Sequence, residues 1–199
     1  MNGSDKENIR IICVDDDPDF CFLIKSLLER EQDLSLVGAA GNRETALDMV
    51  QKHHPHIVLM DLNLSQGDDL GGIEAAKEIR LASQAKIILL TALEDPLISI
   101  EASKKAFASG YIFKSQFELI PETIRATAKS TTPQEDFIKA LILSELSTAE
   151  KTVLDMILGK DIRLLSSEKT IANQKTKIFK KLGVKHGNEL IRLMGSRPY

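Results

Sequence analysis

The chain has 199 residues, enough for one medium domain and one small one, and its 43% hydrophobic content supports ordinary packed cores. The opening MNGSDKENIR lacks an apolar signal core and no apolar run nears the roughly 20 residues that span a bilayer, so a cytoplasmic protein is expected. Charge is divided along the chain: from Ser144 onward 11 Lys/Arg face 6 Asp/Glu, whereas the remainder is acidic, 15 against 23. An acidic front suits a cation site and a basic rear suits a polyanion.

Short apolar runs alternate with helix-like segments in the front part, the pattern of βα repeats around a parallel sheet. Strands are expected near 9–14, 34–39, 56–60, 86–90 and 110–113, and helices over 18–31, 42–53, 72–83 and 96–109, with a fifth starting near Pro121. Pro18 after Asp17 and Pro96 after Asp95 each give an acidic N-cap followed by proline at the first helical position. The polar AKSTTPQED, about 128–136, then reads as the start of a linker. After it, FIKALILSEL, Thr148 to Leu158, Ser167 to Leu182 and Asn188 to Met194 have helical spacing and no strand-like alternation, so the second domain should be all α.

Polar residues cap four of the apolar runs: Asp15 and Asp16 after IRIICV, Asp61 after HIVLM, Thr91 after KIILL, and Lys114 after GYIF. The carboxyl ends of parallel strands open onto one crevice, which would gather these distant residues. Three acids, a hydroxyl and an amine suit a magnesium ion and a phosphoryl group, because hard oxygens hold the cation and the lysine offsets phosphate charge. Cys13 and Cys21 have no metal-ligand spacing and read as buried free thiols. His53, His54 and His56 bracket Pro55 before a buried strand and read as a surface turn rather than a metal site.

VDDDP, IVLMDLNL, LLTA and GYIFK occur in an order and spacing that resemble the receiver domain of two-component response regulators, over about residues 8–129. The resemblance implies a five-stranded, parallel, doubly wound α/β fold of the flavodoxin-like kind. It implies that Asp61 accepts a phosphoryl group from a histidine kinase or a small phosphodonor. Mg2+ would be held by Asp16 and Asp61, by the backbone carbonyl of Asn63, and by Asp15 through water. Lys114 would pair with a phosphoryl oxygen, Thr91 would hydrogen-bond the bound group, and Tyr111 would move inward with the threonine. The sequence departs from the family at LNLSQGDDLGG, about three residues longer than usual and without proline, and at Ser115, where proline commonly follows the lysine.

The rear segment, 144–199 beyond a connecting stretch at 130–143, resembles the helical DNA-binding domain of LuxR-type regulators of the NarL/FixJ class. SEKT, KIFKKLGV and the final NELI carry the match. It implies a recognition helix in the major groove, a homodimer formed on phosphorylation, and DNA contacts from Thr170, Asn173, Gln174, Lys175 and Lys177. Six lysines between Lys169 and Lys185 would contact phosphates. The interval from Gly159 to Ser167 is about five residues short of the family pattern and leaves little room for the scaffold helix. Two functions follow: a phosphorylation-controlled transcription regulator, or a phosphorylation-controlled interaction protein whose helix-turn-helix no longer reads DNA. Neither is a turnover enzyme, since the receiver would catalyse only its own phosphoryl transfer and dephosphorylation.

Overall fold

The computed structural model describes residues 8–64, 71–92, 94–162 and 166–194. The chain divides into two compact units, Met1–Ile138 and Lys139–Tyr199. The first alternates β1 (Ile9–Val14), α1 (Pro18–Leu28), β2 (Leu34–Ala40), α2 (Arg43–His53), β3 (Ile57–Asp61), α3 (Gly71–Ala82), β4 (Lys86–Thr91), α4 (Pro96–Ala106), β5 (Gly110–Phe113) and α5 (Ile120–Lys129), with a 3-10 segment at Lys114–Leu119. All strand pairings are parallel, in the order β2-β1-β3-β4-β5.

The period-2 alternation of strand side chains explains why two separate cores form. Ile12, Val14, Val58, Met60, Ile87 and Leu89 face one side, where α2, α3 and α4 contribute Val50, Ile79 and Ala106. Ile11, Cys13, Ile57, Leu59, Ile88 and Leu90 face the other, covered by Ile24 and Leu28 of α1 and Ile124 of α5. Because both faces are covered, β3 is buried over its whole length, and a near-continuous apolar run is the expected sequence for such a strand.

Helix starts follow the capping residues. Asp17 accepts from the N–H groups of Asp19 and Phe20 ahead of α1, and Asp95 does the same for Leu97 and Ile98 ahead of α4. Two ends differ from expectation. Helix α1 stops at Leu28 rather than 31, and Glu31 and Asp33 beyond it pair with Arg125 of α5. Helix α4 stops at Ala106, where Phe107 takes a left-handed conformation (φ 51°) that a bulky residue rarely adopts. Phe107 is buried, and the Lys77 ammonium lies over its ring, 5.5 Å from the ring centre.

Helix α6 (Pro133–Ser144) leads from the first unit into the second, which contains α7 (Thr148–Ile157), α8 (Glu168–Leu182) and α9 (Gly187–Met194). The connecting stretch expected at 130–143 is thus mostly one helix, and the boundary between units falls inside it. Ser147 and Glu150 form a reciprocal capping box at the start of α7. Glu150 also receives Lys181 of α8 at 2.7 Å, fastening the two helices beside a core of Val153, Leu154, Ile178, Leu182 and Leu190. Gly183, at φ 59°, ends α8 where a side chain would be strained. Between α7 and α8, the described residues 158–162 and 166–167 contain no helix; residues 163–165 of the shortened interval, and 65–70 of the long loop after Asp61, lie outside the described residues. No helix among the described residues is long and apolar enough to cross a membrane.

Candidate phosphoryl site

The strand order reverses direction between β1 and β3, and the carboxyl ends of these two strands carry the acids. Asp15 and Asp16 directly follow β1, Asp61 ends β3, Thr91 ends β4 and Lys114 follows β5. A ligand crevice outside the strand ends is expected at this switch point. One carboxylate oxygen from each of Asp15, Asp16 and Asp61 lies within 4.8 Å of the others. Asp15 and Asp61 are buried, Asp16 is exposed, and Thr91 is fully buried.

Lys114 reaches across this acidic group, with Nζ 2.7 Å from Asp15 Oδ2 and 3.2 Å from Asp61 Oδ2. Burial alone would lower its pKa, but the bonds to Asp15 and the charge of Asp61 outweigh that, and the net shift is upward. The ammonium therefore stays charged. It also lies 4.6 Å from the centre of the Phe20 ring, a cation–π contact that walls one side of the site. Asp15 is shifted up by burial, partly offset by its bonds to Lys114 and to the Asp17 N–H. The latter bond, 3.0 Å long, fixes the carboxylate against the turn into α1.

Three hard carboxylate oxygens around one small volume, with a single lysine for compensation, form a donor set that fits a small divalent cation. Among the described residues it is the one cluster of this kind. Asn63, two residues past Asp61, is exposed in the loop after β3. Tyr111 lies in β5, half-buried, against the core and edge-on to Phe113 at 5.8 Å.

Cys13 and Cys21 are free, with sulfurs 3.8 Å apart, and Cys21 also contacts the Asp15 carbonyl. The bond to Cys21, together with burial, pushes the Cys13 thiol up. The histidines form a turn: His56 Nδ1 accepts from the Arg10 N–H, and the His54 carbonyl accepts from the Arg10 guanidinium. Sequence reasoning missed Phe20. Its signal is its place three residues after the Asp17 cap, on the first turn of a helix that must start beside the acids.

In the second unit α8 presents Thr170, Asn173 and Lys177 to solvent, with Lys175 half-buried. Thr170 is engaged in the cap, its N–H and hydroxyl both bonded to Ser167 Oγ. Gln174, expected among the groove-facing residues, has a buried amide oxygen that makes no hydrogen bond. It is turned inward because helical phase places it one turn before the buried Ile178.

Residues 11–125 match the family described as response regulator receiver domain, more than half of the chain. The transcriptional regulatory protein DesR of Bacillus subtilis is 29% identical over 193 residues, covering 92% of this chain and 94% of its own length. Among solved structures, a LuxR-family two-component response regulator from Aurantimonas sp. SI85-9A1 is 32% identical, with a TM-score of 0.56, covering 70% of this chain and 98% of the other. A structure of the Salmonella typhimurium RcsB response regulator, solved to address its conformational dynamism for DNA interaction, has a TM-score of 0.56 at 25% identity and covers 93% of this chain and 97% of its own. With the acids, threonine and lysine at the ends of the parallel strands, these likenesses place the chain in the response regulator family, as a receiver domain followed by a helical domain in the manner of relatives named transcriptional regulators.

Proposed function

We propose that the protein controls transcription through phosphorylation of Asp61, taking the phosphoryl group from a histidine kinase or a small phosphodonor. The observation that carries this reading is Lys114 set between the Asp15 and Asp61 carboxylates at the mouth of the sheet. An Asp61 carboxylate oxygen attacks phosphorus, the new O–P bond forms as the donor's P–N or P–O bond breaks, and the Lys114 ammonium turns from Asp61 to the incoming oxygens. Asp16, Asp61 and the Asn63 carbonyl, with Asp15 through water, would hold Mg2+, which would add to the neutralisation of the same oxygens. Thr91 then hydrogen-bonds the bound group, and Tyr111 follows it inward. The protein turns over no separate substrate.

The helical unit is the output. Six lysines on and just after α8 suit a polyanion, and we assign DNA contacts to Asn173, Lys175 and Lys177, with Thr170 at the helix start. Pairing of two copies on phosphorylation would bring two such helices to one site. A second reading, protein docking in place of DNA recognition, draws on the inward-turned Gln174 and on the described residues between α7 and α8, which form no helix.

Incubation with acetyl phosphate and Mg2+, followed by intact mass, should add one phosphoryl group to the wild type and none to Asp61→Asn; uptake by the variant would move the acceptor elsewhere. Fluorescence anisotropy with genomic DNA fragments at two salt concentrations then separates the outputs. Binding that is strengthened by phosphodonor and falls steeply with salt supports transcription control. Absence of binding by a protein shown to be phosphorylated supports docking.

A further inference from the structure

Strand β5 is the outermost strand on its side of the sheet. A bare strand edge is hydrated or recruits another chain. Here the side chain of Gln134, in the first turn of α6, supplies what a neighbouring strand would. Its Oε1 accepts from the Tyr111 N–H at 3.2 Å, and its Nε2 donates to the Tyr111 carbonyl at 3.3 Å. A primary amide carries a donor and an acceptor side by side, so one side chain meets both backbone groups of one strand residue. The approach depends on Gly110, where a Cβ would lie 2.5 Å from Gln134 Oε1.

Neighbouring contacts fix the same turn. The Thr132 hydroxyl caps α6 by accepting from the Glu135 N–H and lies 3.5 Å from the Ser109 carbonyl. The buried Glu135 carboxylate pairs with Lys86 at the start of β4, and Lys86 Nζ also donates to the carbonyls of Thr127 and Ser130 at the end of α5. The start of α6 is therefore fastened to β4, β5 and α5. From there α6 continues as one helix to Ser144.

We infer that Gln134 is a positioning residue that ties the Tyr111 backbone to α6, so that movement of β5 on phosphorylation of Asp61 is delivered to the connecting helix. The inference rests on the phosphorylation proposed above. The two amide bonds are the one direct link between the Tyr111 backbone and α6 among the hydrogen bonds described, and neutral bonds of this kind are weak enough to yield to a switching domain.

The test uses the full-length protein with acetyl phosphate and Mg2+, phosphoryl occupancy by intact mass, and hydrogen exchange followed by mass spectrometry in peptides from α4 and α6. In the wild type, phosphorylation should change exchange in both helices. Gln134→Met, of similar length but without the amide, should reach the same occupancy, keep the α4 response and lose the α6 response. Gln134→Glu, which keeps the acceptor and loses the donor, should lose part of it. An α6 response in Gln134→Met equal to that of the wild type overturns the inference, as does loss of the α4 response with it, which would make Gln134 a general support of the receiver. A phosphorylated wild type without an α6 response also overturns it. A wild type that takes no phosphoryl group is recognised from mass alone and defeats the phosphorylation reading first.

Discussion

At the scale of single residues, the site holds more negative charge than its one lysine offsets. Asp15 shows the cost: burial raises its pKa above the ordinary 3.8, so its ionised form is less favoured in the folded chain than in the unfolded one. For a carboxyl raised on folding, stability falls as pH climbs from the unfolded pKa through the folded one and stays lower above it. Asp15→Asn should therefore raise the midpoint of thermal unfolding at pH 7 in chelator, by roughly 2–4 °C for each kcal/mol relieved. The same variant should gain less from added Mg2+. A lower midpoint in chelator would mean that the ion pair with Lys114 outweighs the burial cost. The polar residues of the site were legible in the sequence because each stands at the end of an apolar run, and strand ends converge whatever the intervening helices do. The Phe20 ring under Lys114 and the inward turn of Gln174 were not, because both depend on helix phase and docking, which one chain position does not specify.

At the scale of elements, close approaches decide how much substitution is tolerated. Gly72 brings the start of α3 against the end of β3, where a Cβ would fall 2.0 Å from the Asp61 carbonyl oxygen and 2.8 Å from that of Leu62. Backbone cannot swing aside as a side chain does, so Gly72→Ala should cost at least ~1–3 kcal/mol in urea unfolding and reduce phosphoryl uptake by displacing Asp61. In the second unit, Glu150 has its pKa held below the ordinary 4.5 by Lys181 and by the Ser147 N–H. A carboxyl lowered on folding contributes stability above its unfolded pKa and loses it as pH falls through the folded one. The α7–α8 pair should thus loosen below about pH 4.5, as read by helical circular dichroism, and Lys181→Met should move that loss to higher pH. An acid transition unmoved by Lys181→Met would place the sensitivity elsewhere. The strands were read nearly to the residue, since each is a compact apolar run with a polar end. The ends of α1 and α4 were overrun because their stop signals are not glycine or proline: α1 yields to the Arg125 ion pairs, and α4 ends on a phenylalanine whose burial offsets its strained backbone.

For the whole molecule, the two units predict separable responses. Mg2+ at a hundredfold excess over its dissociation constant should stabilise the first unit by about 2.7 kcal/mol and leave the second unchanged, giving two calorimetric transitions of which one moves. A receiver fragment ending at Ser130 should be less stable than one ending at Ile138 by ~1–3 kcal/mol in urea, because the shorter one strips Gln134 from β5 and Glu135 from Lys86. Equal stabilities would show the start of α6 to be an ornament on the fold.

The strand order has a last consequence, which concerns synthesis on the ribosome. Asp15, Asp61, Thr91 and Lys114 come from four strands adjacent in the sheet but far apart in the chain, and β5 joins only after β4 has been placed. A nascent chain therefore lacks the full set of acceptor-site side chains until Lys114 has emerged, and the outer edge of β5 is closed later still, by Gln134. Truncated products ending before Lys114 lack the ammonium that lies between the Asp15 and Asp61 carboxylates.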